Sequence, residues 1–156
     1  VGVLWSVGTQ AADLKVGFVD AERINRESAP AERATKKLEK EFAPREQELR
    51  KMEQQIKLIQ GQLEKDGLTM SESDRRTKEQ ELGRQTREFQ RLQREFREDL
   101  NLRRNEELSS LFERANKVIK QIAETEKYDL IIQEAVYRST RIDITEKVIK
   151  ALASDK

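Results

Sequence analysis

Four arginines in the middle of the chain, Arg84, Arg87, Arg91 and Arg94, recur at steps of three, four and three. On a helix that spacing stacks them along one face, and Arg75, Arg76 and Lys78 carry the basic character toward lower numbers. A row of guanidinium groups does not make or break bonds. Its chemistry is electrostatic: recognition of carboxylates, phosphates or acidic protein surfaces. Glu81, Glu88 and Glu95 lie nearby and dilute the stripe. Two readings stay open, a solvated face of a coiled coil and a contact surface for anions or acidic proteins.

Other chemistries find no residues to carry them. The sequence has no His and no Cys, which removes imidazole acid–base work, thiolate chemistry, disulfides and nearly every zinc site. It has no Gly-rich phosphate loop and no nucleophile elbow. Carboxylates are abundant, but pairs such as Glu39 with Lys40 or Glu88 with Arg91 read as surface ion-pair partners rather than acid–base dyads. We expect no catalytic residue, no metal and no cofactor. With 31 basic and 30 acidic side chains the net charge is +1, so whole-protein attraction to nucleic acid is not implied.

The elements that must position these residues follow from composition. Charged residues make up 39% of the 156 positions and aromatics 5%, whereas globular domains are roughly a quarter charged. Such a chain cannot wrap around one large core, and its regular periodicity points to helices with narrow apolar seams. Leu38, Phe42, Leu49, Met52, Ile56, Ile59 and Leu63 follow steps of three and four, with Arg45 filling one seam position. A second run carries Leu82, Phe89, Leu92, Phe96 and Leu100, then Leu108, Leu111, Ala115, Val118 and Ile122. Between the runs, Gly67 is expected to end the first helix in a left-handed C-cap, and Ser71 with Asp74 to open the second with a capping box. Facing residues of an antiparallel pair must have position numbers with a constant sum. Ile56 with Leu82, Leu49 with Phe89, Phe42 with Phe96 and Leu38 with Leu100 all share one sum. The sequence therefore predicts a long antiparallel helical hairpin, residues 30–108, with its tip near 66–71. Pro44 predicts a hinge or kink in the first arm near Lys40. Residues 97–107 supply only Leu100 and Leu102 as apolar positions, so loosening of the arms is expected there.

Both chain ends read differently. Val16, Phe18 and Val19 lie in a short β-prone run after Lys15, and Asp20 can cap a short helix through about Glu27. Pro30 suits the start of the next helix. Leu130, Ile131 and Ile132 form a second β-rich run, which Ala135–Thr140 with Val136 would join as a hairpin. Ile142 and Ile144 flank Asp143, which with Glu146 suggests a capping box before a last helix. Residues 12–29 and 109–156 would thus build a small β-containing body, too small for a generous core and therefore inclined to oligomerise. At the start, the apolar run Val1–Val7 and Thr9-Gln10-Ala11 resemble the rear of a secretory signal cleaved after about Ala11, which makes residues 1–11 a signal remnant.

The order of these pieces resembles the Skp/OmpH family of periplasmic chaperones of Gram-negative bacteria. Lys15-Val16-Gly17-Phe18-Val19-Asp20 precedes the charged hairpin; Tyr128-Asp129-Leu130-Ile131-Ile132-Gln133, Ala135-Val136-Tyr137 and Ile142-Asp143-Ile144-Thr145 follow it. The similarity spans about residues 13–156. It implies a mainly α fold with a small β body (α+β), in which strands of three chains assemble a barrel-like body carrying three hairpin arms. It further implies an exported homotrimer in the periplasm that holds unfolded outer-membrane proteins without ATP, with no nucleic acid as partner. Anionic lipid or lipopolysaccharide is a further partner class for the basic stripe, although no motif matches a lipopolysaccharide site residue by residue. Other readings are an envelope coiled-coil adaptor, a nucleic-acid-binding coiled coil, and a cytosolic prefoldin-like chaperone.

Overall fold

The computed structural model describes residues 13–154, so the expected signal remnant lies outside the described residues. The elements in chain order are β1 (Val16–Phe18), α1 (Ala21–Glu27), α2 (Ala29–Asp66), α3 (Glu72–Glu126), β2 (Leu130–Ile132) and α4 (Thr145–Ser154). They fall into two units, one of residues 33–110 and one combining residues up to 32 with those from 111 onward.

The second of these units is built around β1. Val16, Gly17 and Phe18 pair in parallel with Leu130, Ile131 and Ile132, and the other edge of Phe18 bridges to Asp143. Phe18 N–H donates to the Ile142 carbonyl at 2.8 Å, while Ile144 N–H donates to the Phe18 carbonyl at 2.9 Å. This corrects the expected hairpin. Residues 133–141 form no strand, and Leu130–Ile132 takes β1 as its partner instead. Of the predicted body residues, Phe18, Val19 and Ile144 are buried, and Val16, Ile131, Ile132 and Ile142 are half-buried. Leu130 and Val136 are exposed.

Side-chain hydrogen bonds fix the helix ends. The Asp20 carboxylate accepts from Arg23 N–H at 2.9 Å and starts α1. Ser28, fully buried, closes α1 through its own N–H to the Ile24 carbonyl and opens α2 by accepting from Ala31 N–H. Pro30 is the second residue of α2, where its missing N–H costs nothing. The expected capping box of α4 forms only by half: Asp143 accepts from Thr145 N–H at 2.9 Å, whereas Glu146 turns away to Arg23 at 2.7 Å. Lys127, at φ 57°, takes the left-handed position after α3. It lets Tyr128 N–H reach back to the Ala123 carbonyl, a Schellman-type ending without glycine.

Val19, Ile24, Ala115, Val118, Ile144, Val148 and Leu152 form the core of this unit. Leu152 and Val148 are completely buried, each contributing roughly 1.5–3 kcal/mol through removal of apolar surface from water. Around the rim, Lys147 Nζ grips the Glu126 carboxylate at 2.6 Å and Lys15 Nζ donates to the Glu126 carbonyl. The Lys147 hydrogen bond, opposed by partial desolvation, holds the Glu126 carboxyl below its ordinary range.

Two outcomes follow for stability. Leu152→Ala should cost about 2–5 kcal/mol, measured as a lower midpoint in chemical denaturation of the full chain. Because the Glu126 pKa is depressed on folding, its contribution is present above the unfolded carboxylate pKa of roughly 4.3 and is lost as pH falls through the folded value. The stability gap between wild type and Glu126→Gln should therefore exist at pH 7 and vanish in acid.

Candidate functional site

Residues 33–110 form the hairpin arm. Its sequence is rich in Glu, Arg, Gln, Lys and Leu, all strong helix formers, and α2 runs unbroken through Pro44. The turn is tight. Asp66 ends α2, and its carbonyl accepts from both Thr69 and Met70 N–H groups at 3.0 and 2.9 Å. Ser71 Oγ accepts from Asp74 N–H at 3.1 Å and caps α3 as expected. Gly67 departs from expectation, since no described glycine has a positive φ. Its role is steric: its N–H donates to the Leu63 carbonyl, and a Cβ there would lie 2.3 Å from that oxygen.

The seam follows the predicted register. Phe42 and Phe96 meet edge to face with centroids 5.5 Å apart, and Phe42, Ile56 and Ile59 are buried. Leu38, Leu49, Met52, Leu63, Leu82, Phe89, Leu92, Phe96 and Leu100 are half-buried. Where apolar residues thin out, charge takes over. Lys37 pairs with Glu107 at 2.6 Å, Glu41 with Arg103 at 3.1 Å and Arg45 with Asp99 at 2.7 Å. The Arg45 guanidinium also lies 5.7 and 5.8 Å from the Phe42 and Phe96 ring centroids, a cation–π geometry on both. The stretch expected to be loose is thus bridged by ion pairs. Arg103 continues the seven-residue series Leu82, Phe89 and Phe96; that spacing is the signal that could have placed it on the seam.

The basic side chains lie along α3. Arg75, Arg76, Arg84, Arg87, Arg91 and Arg94 are exposed, while Lys78 is half-buried. Not all of them are available. Arg91 is held by Glu88 at 2.6 Å and Glu95 at 2.5 Å. Both carboxylates raise its already high pKa, so its charge is fixed. Arg76 pairs with Glu72, Arg75 with Glu79 at 3.8 Å, and Lys78 donates to Gln62 across the arm at 2.7 Å. Arg84, Arg87 and Arg94 form no salt bridge among the described residues. Gly83 makes room for one of them: a Cβ there would sit 3.3 Å from the Arg87 guanidinium. Arg84, Arg87 and Arg91 line a shallow groove with Met52 of α2. The arrangement can bind anionic groups beside an apolar thioether, and it contains no nucleophile–base pair. No group of His, Cys, Asp or Glu among the described residues could hold a metal ion, and no described helix is long and apolar enough to cross a membrane.

Comparison with known proteins adds the family. The model of the family described as outer membrane protein (OmpH-like) matches residues 15–152. The protein named "Chaperone protein Skp" from Photorhabdus laumondii is 33% identical over 152 residues, covering 96% of this chain and 92% of that one. Its namesake from Pectobacterium atrosepticum is 33% identical over 147 residues, covering 93% and 88%. The crystal structure of an OmpH-like protein from Caulobacter crescentus CB15 shares the fold, with a TM-score of 0.77 at 15% identity, over 99% of this chain and 92% of that one. Register, strand motifs and family model agree over nearly the whole described chain, and this protein belongs to the OmpH-like family.

Proposed function

We propose that this protein is an ATP-independent holdase that binds unfolded outer-membrane β-barrel proteins between helical arms and keeps them from aggregating in the periplasm. The observation that carries this reading is the near full-length likeness to proteins named "Chaperone protein Skp". An unfolded β-barrel protein exposes alternating apolar residues and unpaired strand edges, both aggregation hazards. An arm with a half-buried seam, exposed Leu58, Leu68 and Leu102, and unpaired guanidiniums offers many weak contacts and no single tight one. Several such arms then retain a client by multivalency.

The number of arms is part of the proposal. The body exposes Leu14, Phe112, Leu130, Val136 and Tyr137, apolar side chains that a contact between copies would remove from water. A homotrimer would cover them, with residues 133–139 supplying strand partners between copies. Export fits the same picture, with the signal removed after about Ala11. Arg84, Arg87 and Arg94 would meet acidic client segments, and the same groove could take an anionic lipid or lipopolysaccharide headgroup.

Diluting a urea-unfolded outer-membrane protein into the purified mature chain tests the main claim. Suppressed light scattering at one trimer per client, with a native mass three times that of the chain, is the expected result. A monomer or dimer without effect on scattering would leave the envelope-adaptor reading in its place. Val136→Asp combined with Tyr137→Asp should shift the native mass toward the monomer. Reversing Arg84, Arg87 and Arg94 to Glu should weaken client capture several-fold at ~50 mM salt, with the difference largely gone near ~0.5 M as screening shortens the range of charge. Equal capture at low salt would return the stripe to a solvated face.

A further inference from the structure

The two halves of the arm are joined by different forces. Toward the tip, Leu49, Met52, Ile56, Ile59 and Leu63 of α2 face Leu82, Phe89 and Leu92 of α3, an apolar seam that salt does not weaken. Around and beyond the Phe42–Phe96 contact the apolar seam thins to Leu38 and Leu100, and ions join the helices: Lys37 with Glu107, Glu41 with Arg103, Arg45 with Asp99. These pairs advance by four residues on each helix and share one sum of positions. They therefore form a ladder rather than scattered surface contacts. Its middle rung joins the Arg103 side chain, 26% exposed, to that of Glu41, 42% exposed. Arg103 also binds Glu106 and Glu107 along its own helix. Pro44 sits within the same stretch of α2, where it deletes the backbone hydrogen bond to the Lys40 carbonyl.

We propose that residues 37–45 and 99–107 form an ionic latch that sets the separation of the two helices in this half of the arm, and that screening by salt opens the latch while the apolar half stays closed. Each rung is a partly exposed ion pair, individually weak and salt-sensitive. Without them, only Leu38, Phe42, Phe96 and Leu100 hold the stretch. The Debye length falls from about 10 Å at 0.1 M to about 3 Å at 1 M salt, so the ladder loses its attraction over a range where the apolar seam gains. The rungs also fix register, since sliding one helix by a turn would set like charges against each other.

The chain has no cysteine, so spin labels can be placed at will. One pair, Lys40→Cys with Asn105→Cys, reports the ionic half. Another, Gln60→Cys with Gln80→Cys, reports the apolar half. All four positions are exposed. Pulsed electron resonance distances are then read at ~50 mM and ~1 M NaCl. The latch predicts that the 40–105 distribution broadens and lengthens with salt, by up to ~5 Å, one helical pitch. The 60–80 distribution should stay fixed. Adding Glu41→Gln, Asp99→Asn and Glu107→Gln, which keep shape and remove one charge from each rung, should broaden the 40–105 distribution at low salt and abolish its salt response. Helix content by circular dichroism controls for folding, and the salt titration of the labelled parent stands if the neutralised variant misfolds. A 40–105 distribution indifferent to salt, or a 60–80 distribution that responds equally, would overturn the latch. The readout needs no client, so its failure is separate from failure of the holdase reading.

Discussion

Parallel pairing of Val16–Phe18 with Leu130–Ile132 is the constraint on which the rest depends. An antiparallel neighbour can be reached by a two-residue turn, but a parallel one requires the chain to travel back before it pairs. Here the return path is α1, α2 and α3 together, so the helical hairpin is the crossover connection of a two-stranded sheet. The strand that makes this possible is held from both sides, with Phe18 bonded to Ile142 and Ile144 at one edge and Val19 N–H to the Ile132 carbonyl at the other. Gly17 lets the layers close, since a Cβ there would come within 3.2 Å of the Tyr128 ring and 3.3 Å of Ile144. Arg138 clamps the outside, its guanidinium 4.3 Å from the Phe18 ring centroid and paired with Asp143 at 3.1 Å.

Such a sheet is too small to stabilise a body by itself. Its support comes from the helices that enclose the Val19–Leu152 core, and from polar links between segments distant in sequence. Thr145 Oγ1, fully buried, accepts from Asp20 N–H at 2.9 Å across 125 positions, and Arg23 ties α1 to Glu146 of α4. Among the described residues no buried side-chain polar atom lacks a partner, which matters because an unpaired one would cost about 1–3 kcal/mol.

Much of this was legible in the sequence, and the parts that were not share a cause. Hairpin register could be read because the constraint is arithmetic: Phe42 and Phe96 must meet if their neighbours do. Strand existence could be read from β-branched runs. Strand partnership could not, because the partner of Leu130–Ile132 lies more than a hundred residues away, whereas Ala135–Thr140 stands next to it and is β-prone. Local signals favoured the near neighbour, but Leu130–Ile132 pairs with the distant β1. Gly67 misled in a similar way, since glycine serves close approach as well as positive φ, and only the Leu63 carbonyl 2.3 Å from its missing Cβ separates the two. In the basic stripe, spacing placed four exposed arginines along one helix. It could not show that Arg91 is neutralised by Glu88 and Glu95 while Arg84, Arg87 and Arg94 are not, because rotamers make that choice.

The arm itself divides stability in an unusual proportion. The buried residues of α3 are Leu111, Ala115 and Val118, none of them in the hairpin unit of residues 33–110. In that unit α3 has only half-buried seam contacts, so its helical state must rest largely on intrinsic propensity and on pairs within one helix. Those pairs are present: Glu72 with Arg76, Arg75 with Glu79, Glu88 and Glu95 with Arg91, and Glu106 and Glu107 with Arg103. Each is worth only about 0.2–0.5 kcal/mol on an isolated helix. Toward the tip these pairs stay within α3, whereas Arg103 and Glu107 also bind Glu41 and Lys37 of α2. In a chain that is 39% charged, pairs within one helix thus supply support for α3 that a narrow apolar seam does not.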